Sequence, residues 1–119
     1  MNTIDLKQKL SLFDAKWTPK IIGALNGQEV KLAKLEGEFV WHDHAEEDEM
    51  FLVLEGVLIM RFRDCEERIE AGQMLIVPRG VEHQPYAPEG ASVLLFEPAG
   101  TAHTGVVESE LTVRDQNWI

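Results

Sequence analysis

The stretch Gly37-Glu38-Phe39-Val40-Trp41-His42-Asp43-His44-Ala45-Glu46-Glu47-Asp48-Glu49 places three side chains of metal-binding type, His42, His44 and Glu49, within a span of eight residues. A glycine opens it, and a second glycine, Gly56, follows Glu49 after six residues. Further on, Gly72 opens another run, which reaches Pro78-Arg79-Gly80 and ends on a third histidine, His83. Side chains alternate faces along an extended chain, so a strand over 38–44 turns His42 and His44 the same way. Phe39 and Trp41 then face the opposite side. Asp48 reads as a local hydrogen-bonding residue, and Glu46 and Glu47 as solvated.

Outward from these blocks the pattern is of short strands. Lys20–Leu25 runs into Asn26-Gly27, a turn pair that favours a tight hairpin, and Gln28–Leu35 follows. Glu38–His44, Met50–Leu54, Val57–Arg63, Met74–Val77, Gln84–Ala87 and Ser92–Glu97 complete the set, with Gly or Pro at nearly every join. Strands at such intervals imply a sandwich or a closed barrel. Residues 3–13 carry Leu6, Leu10 and Phe13 at near-helical spacing, which suits a short helix or an outer arm, and Pro19 stops any helix there. If Glu55-Gly56 is a two-residue turn, Glu49, Phe51, Leu58, Met60 and Phe62 line one interior. The other face of that hairpin (Met50, Leu52, Leu54, Val57, Ile59) is apolar as well and needs a second cover. Either the N-terminal segment or another subunit can supply it, and a homodimer is the commoner solution for a chain of 119 residues.

Composition excludes several classes. With 11 basic against 21 acidic residues the formal charge is −10, which opposes binding to nucleic acid or anionic membranes. There is one cysteine, Cys65, in the polar turn Asp64-Cys65-Glu66-Glu67, so no intrachain disulfide forms. No apolar run is long enough to span a bilayer and the N-terminus has no secretory pattern, so a cytoplasmic location is expected. One domain over 1–119 suffices for this length.

Both blocks resemble the conserved motifs of the cupins. Gly37 through His42, His44 and Glu49 to Gly56 is similar to the first, and Gly72 through Pro78 and Gly80 to His83 is similar to the second. The fifteen residues between them, Val57–Ala71, are typical of compact single-domain bacterial members. Two positions depart from the family pattern: four residues, where five are usual, separate Gly37 from His42, and Ala87 stands where the second motif closes on Asn. The tail from Phe96 through Gly105 looks like that of small cupins labelled mannose-6-phosphate-isomerase-like.

The resemblance implies an all-β jelly-roll barrel with a short N-terminal helix or arm. It also implies that His42, His44, Glu49 and His83 hold one divalent transition metal. Three imidazoles and a carboxylate suit Fe, Mn, Ni, Zn or Cu. Phe51, Leu58, Met60 and Phe62 are candidate pocket lining for a small-molecule ligand in the barrel. The leading functional expectation is a metal-dependent enzyme acting on a small organic substrate, of dioxygenase, isomerase or lyase type. The rival is a non-catalytic small-molecule or metal-sensing module. No second acid or base stands out in the motifs, and no Lys or Arg is placed facing the pocket, which counts against phosphosugar chemistry. Gly56, Gly72 and Gly80 read as positive-φ turns, Gln84 as a residue supporting the ligand before it, and His103 as an exposed loop histidine.

Overall fold

The structure, a computed structural model, describes residues 1–102 and 116–119. The fold is an all-β jelly roll with one short N-terminal helix, α1 (Leu6–Leu10). Its strands are β1 (Lys20–Leu25), β2 (Gln28–Glu38), β3 (Glu49–Phe62), β4 (Glu66–Glu70), β5 (Met74–Val77), β6 (His83–Pro98) and β7 (Asn117–Trp118). The ladder runs β4-β3-β6-β2-β1-β7, and β5 pairs with β3.

Asn26-Gly27 forms the expected hairpin: Leu25 pairs with Gln28, and both turn residues have positive φ, 50° and 76°. Elsewhere the strands are fewer and longer than their Gly and Pro punctuation suggests. Glu55-Gly56 is not a hairpin turn. β3 continues through it and pairs with β6 on both sides, from Met50↔Phe96 to Phe62↔His83. The ladder register shifts between Val53/Glu55 and again between Gly56/Ile59, so the inward set changes from Glu49, Phe51 and Val53 to Leu58 and Met60. Gly56 has φ 80°, and a side chain there would strike the Gly90 carbonyl of β6 where the two bent strands cross. The predicted polar turn at Asp64-Cys65 forms, but Glu66 already begins β4. That strand carries one inward apolar residue, Ile69, too little pattern to announce itself.

The inner core joins Ala33 and Leu35 of β2, Phe51, Val53, Leu58 and Met60 of β3, and Val93 and Leu95 of β6. Both faces of the sheet are apolar, as the sequence implies, and the N-terminal segment covers part of the outer one. Leu10 and Phe13 pack there with Ile22 and Leu32, against Leu54 and Leu94. Asp5 caps α1 by accepting from the Gln8 amide at 3.1 Å, and Lys9 Nζ ties the helix to the Ile119 carbonyl at 2.8 Å. Beyond the helix the chain crosses to the inside: Trp17 is buried in the inner core. Among the described residues no helix is long and apolar enough to cross a membrane.

Candidate metal centre

β2 ends at Glu38, and residues 39–48 form no named strand before β3 begins at Glu49. Strand parity therefore does not govern His42 and His44. A single bridge fixes this segment: the His42 amide donates to the His83 carbonyl at 3.0 Å, and the His83 amide donates to the His42 carbonyl at 2.9 Å. Gln84 braces the same segment by donating from Nε2 to the Phe39 carbonyl at 3.0 Å. The Gly80 amide donates to the His44 carbonyl at 2.7 Å, so the Pro78-Arg79-Gly80 turn holds the second histidine. Asp48 belongs to this clamp and is not a local partner: it accepts from the Arg79 amide at 2.9 Å and from the Arg79 guanidinium at 3.3 Å. That pairing also lowers the Asp48 carboxyl below its ordinary value.

The result is a buried cluster of His42, His44, Glu49 and His83, with one donor atom from each all within 4.8 Å of one another. Glu49 Oε1 lies 3.4 Å from His44 Nε2 and 3.5 Å from His83 Nε2. His42 Nδ1 is 2.9 Å from the Val40 carbonyl and His83 Nδ1 is 2.9 Å from the Val81 carbonyl. A carbonyl can only accept, so each Nδ1 carries the proton and each Nε2 presents a lone pair to the cluster. His42 Nε2, His44 Nε2, His83 Nε2 and Glu49 Oε1 are all buried without a hydrogen-bond partner among the described residues. Orphaned buried polar atoms are costly and rare, and four converging on one point fit a shared cation. Metal–nitrogen and metal–oxygen bonds of about 2.0–2.2 Å put neighbouring ligand atoms about 3 Å apart. The observed spacings are close to that.

The electrostatics agree. Burial, reinforced by the nearby His83, lowers His42 from 6.5 to about 4, so it is neutral at pH 7, as a ligand must be. Burial also opposes charge on His44, but Glu49 outweighs it and raises His44 above its ordinary value. Glu49 is held well below the carboxylate range in spite of complete burial, through His44, His83 and Glu97.

Beside the cluster lies a cavity of about 30 Å³, room for a water or two. His42 and Glu49 form its polar edge, and Trp17, Phe39, Phe51 and Pro85 are among its apolar walls. Of the candidate lining residues, Phe51 borders this cavity. Leu58 and Met60 are fully buried in the inner core, Phe62 packs partly buried against it, and none of the three borders the cavity. Phe39 is a correction to the sequence reading: it faces inward, edge-on to His42 at a centroid distance of 5.6 Å, and stacks on Trp17 at 4.5 Å. Trp41 lies partly buried beneath the Arg63 guanidinium, 3.8 Å from its ring centroid. His103, Thr104 and Gly105 fall outside the described residues.

Sequence reasoning missed Trp17, whose surroundings (Asp14-Ala15-Lys16-Trp17-Thr18-Pro19) carry no signal for the interior. It also missed Lys31 and Glu97, which are buried at the same end of the barrel. A signal for these two existed: Lys31 is in phase with Ala33 and Leu35, and Glu97 with Val93 and Leu95.

The fold and the donor cluster together define a jelly roll with a buried His/His/Glu/His cluster compatible with a metal ion. The cupin domain family model matches residues 28–97, more than half of the chain, and the chain belongs to the cupin family. It is 46% identical to a cupin-2 domain containing protein from Shewanella frigidimarina, with a TM-score of 0.79 over 80% of this chain and 93% of that one. It is 35% identical to protein NMB1881 from Neisseria meningitidis, with a TM-score of 0.76 over 82% of this chain and 100% of that one. Over 64 residues it is 41% identical to the uncharacterized protein YdbB of Bacillus subtilis, covering 53% of this chain and 57% of that protein. The chain spans a little over half the length of the curated relatives it matches.

Proposed function

We propose that the protein binds one divalent transition metal through His42, His44, Glu49 and His83, and that it is a metal-dependent enzyme acting on a small organic molecule. The observation that carries this reading is the convergence of four buried donor atoms, none with a hydrogen-bond partner among the described residues. Three neutral imidazoles and one carboxylate suit Fe, Mn, Ni, Zn or Cu, and exclude neither Lewis-acid nor oxygen chemistry. Such an ion would supply polarisation of a chelating oxygen or a site for dioxygen. The residues around it define what the protein adds. Val40 and Val81 hold the tautomers of His42 and His83. Trp17, Phe39 and Phe51 exclude water from the His42 and Glu49 side and favour a ligand that is flat and apolar beyond its chelating atoms.

Elemental analysis of protein purified without added metal tests the centre. One equivalent is expected in the wild type and none in His42→Ala or His83→Ala. A full complement in either variant would overturn the assignment.

A non-catalytic binding module is the second reading, favoured by the small and mainly apolar cavity. Steady turnover of any small chelating substrate by the loaded protein, lost in Glu49→Gln, would decide for the enzyme.

We further propose that a second copy of the chain covers the rest of the outer sheet face. Met50 pairs with Ile76 and Phe96, and Leu52 with Met74. These side chains therefore share one outward face, where Met74 and Ile76 are 52% and 57% exposed. A flat self-complementary apolar face suits a two-fold interface.

A further inference from the structure

The space beside the four donor atoms is too small for an organic substrate. It measures about 30 Å³, whereas pockets that take small molecules run to about 300–1,000 Å³. A ligand ring reaches the His42 and Glu49 edge only if part of the wall moves. Most of that wall is fixed. Leu35, Phe51 and Leu95 stand on β2, β3 and β6, which are paired along most of their length. Phe39 and His42 belong to the segment fastened by the His42–His83 bridge and by Gln84.

Trp17 is held differently. It precedes β1 and enters the interior from a run in which Asp14, Ala15 and Lys16 are all exposed. Its amide donates to the Lys34 carbonyl at 2.8 Å and its Nε1 to the Glu36 carbonyl at 2.9 Å. Glu36 lies in the register shift between Leu35 and Gly37, where the β2–β6 ladder is interrupted. The indole stacks on Phe39 at 4.5 Å with 17° between the ring planes. The Trp17 backbone is left-handed, with φ 55°, a conformation unfavourable for any residue that carries a Cβ. The other described non-glycine residue at positive φ is Asn26, in a hairpin turn that calls for it. No such turn explains Trp17. Residues held in this way persist where their surroundings impose the conformation, and they gather at ligand clamps and switches.

We infer that the Trp17 indole occupies the place of the substrate's own ring, and that the substrate is a flat aromatic compound with a chelating oxygen pair, stacked on Phe39 once Trp17 has swung out. This rests on the reading of the quartet as a metal centre. The stack on Phe39 shows that a flat ring fits this position. The cavity joins that position to His42 and Glu49, so a ligand filling both lies on Phe39 with its oxygen pair toward the donor cluster. An aliphatic polyol of the same size would set its hydroxyls against the rings of Phe39 and Phe51, at a cost in desolvation. Trp17 thereby sets specificity. Its indole excludes ligands that do not repay its displacement, and affinity is reduced by the fraction of chains in which it is in place.

The test uses the full chain and tropolone as probe, a flat ring carrying an oxygen pair. Binding to the Co(II)-loaded protein is followed through its visible spectrum. Trp17→Gly removes the indole and accepts the left-handed backbone without strain. Minor states are commonly about 0.1–10% populated, so tropolone should bind this variant about 10–1,000-fold more tightly than the wild type. Azide, whose size suits the closed cavity, should bind both alike. In the Zn(II)-loaded wild type, the Trp17 indole N–H resonance should leave its hydrogen-bonded position as tropolone saturates, and stay in place with azide. This measurement needs no variant and decides the matter if Trp17→Gly fails to fold. The inference is overturned if wild type and Trp17→Gly bind tropolone equally, or if azide gains as much as tropolone. It is also overturned if the Trp17 resonance is unmoved at saturation, or if the loaded proteins take no tropolone. A wild type that holds no more Co(II) than His83→Ala would instead remove the metal reading itself, and the inference with it.

Discussion

His42 and His83 are joined by their backbones, amide to carbonyl in both directions at 3.0 and 2.9 Å, so their positions do not depend on their imidazoles. The side chains add only a hydrogen bond each, from Nδ1 to Val40 and Val81. Fold and metal affinity should therefore separate. His83→Ala should lose the metal while its backbone bridge and its strand signature in far-ultraviolet circular dichroism persist. A variant that loses metal only by unfolding would show that the imidazoles, not the bridge, hold the segment.

That bridge also explains how much of the site was legible. The spacing of His42, His44, Glu49 and His83 pointed to all four donors, but the reason first attached to two of them, strand alternation, does not apply between residues 39 and 48. The same false alternation turned Phe39 outward. Barrel and hairpin β1–β2 followed from Gly, Pro and Asn-Gly punctuation. The long strands β3 and β6 did not, because a glycine at a bend and a glycine in a turn look alike in sequence; only the close approach of Gly56 to the Gly90 carbonyl tells them apart. Lys31 and Glu97 were hidden for a different reason. β2 is apolar on both faces, and Val30 and Leu32, which face the outer cluster, read as the core side.

Gly56 should then be irreplaceable for reasons of backbone and space together. At φ 80°, with the Gly90 carbonyl against the position of a Cβ, Gly56→Ala should destabilise by at least about 1–3 kcal/mol. Gly72→Ala, also at positive φ but with open space around the Cβ position, should cost less. Urea denaturation of the two variants measures the difference, and equal costs would show that the β3–β6 crossing is not tight.

Trp17 closes the cavity wall, stacks on Phe39 and donates from Nε1 to the Glu36 carbonyl at 2.9 Å. Trp17→Ala should lower stability by about 3–5 kcal/mol and enlarge the space beside His42. Metal content should be unchanged, because no donor atom touches its side-chain hydrogen bond. Apolar ligands added to the variant should raise its thermal midpoint more than that of the wild type. Loss of metal in Trp17→Ala would mean that the wall and the centre are one unit.

Ile76 tests the outer face. It is exposed and paired across β5–β3 with Met50, so Ile76→Asp sets a charge in the middle of the apolar patch without touching the core. Sedimentation analysis should give about twice the 13.5 kDa chain mass for the wild type and the chain mass for the variant. A wild-type monomer would remove the second copy.

Acid should act on the metal-free protein through His42. Its folded value of about 4 lies below the 6.5 of the unfolded chain, so the unfolded state takes up the proton first. The His42 contribution to stability is therefore present above pH 6.5 and lost as pH falls toward 4, amounting to about 3 kcal/mol at the acid end. His44 runs the other way: Glu49 raises its folded value, so its contribution is full below pH 6.5 and lost as pH climbs through the raised value. A comparison with His42→Asn isolates the first effect, and the acid limb of the stability curve should be flatter in the variant. The same two shifts order the proton competition with metal. Affinity should begin to fall above pH 6.5, where His44 first gains its proton, while the His42 resonances in an NMR titration of the metal-free protein remain those of the neutral ring down to about pH 5. Protonation of His42 before His44 would reverse the assignment of which imidazole faces the Glu49 charge.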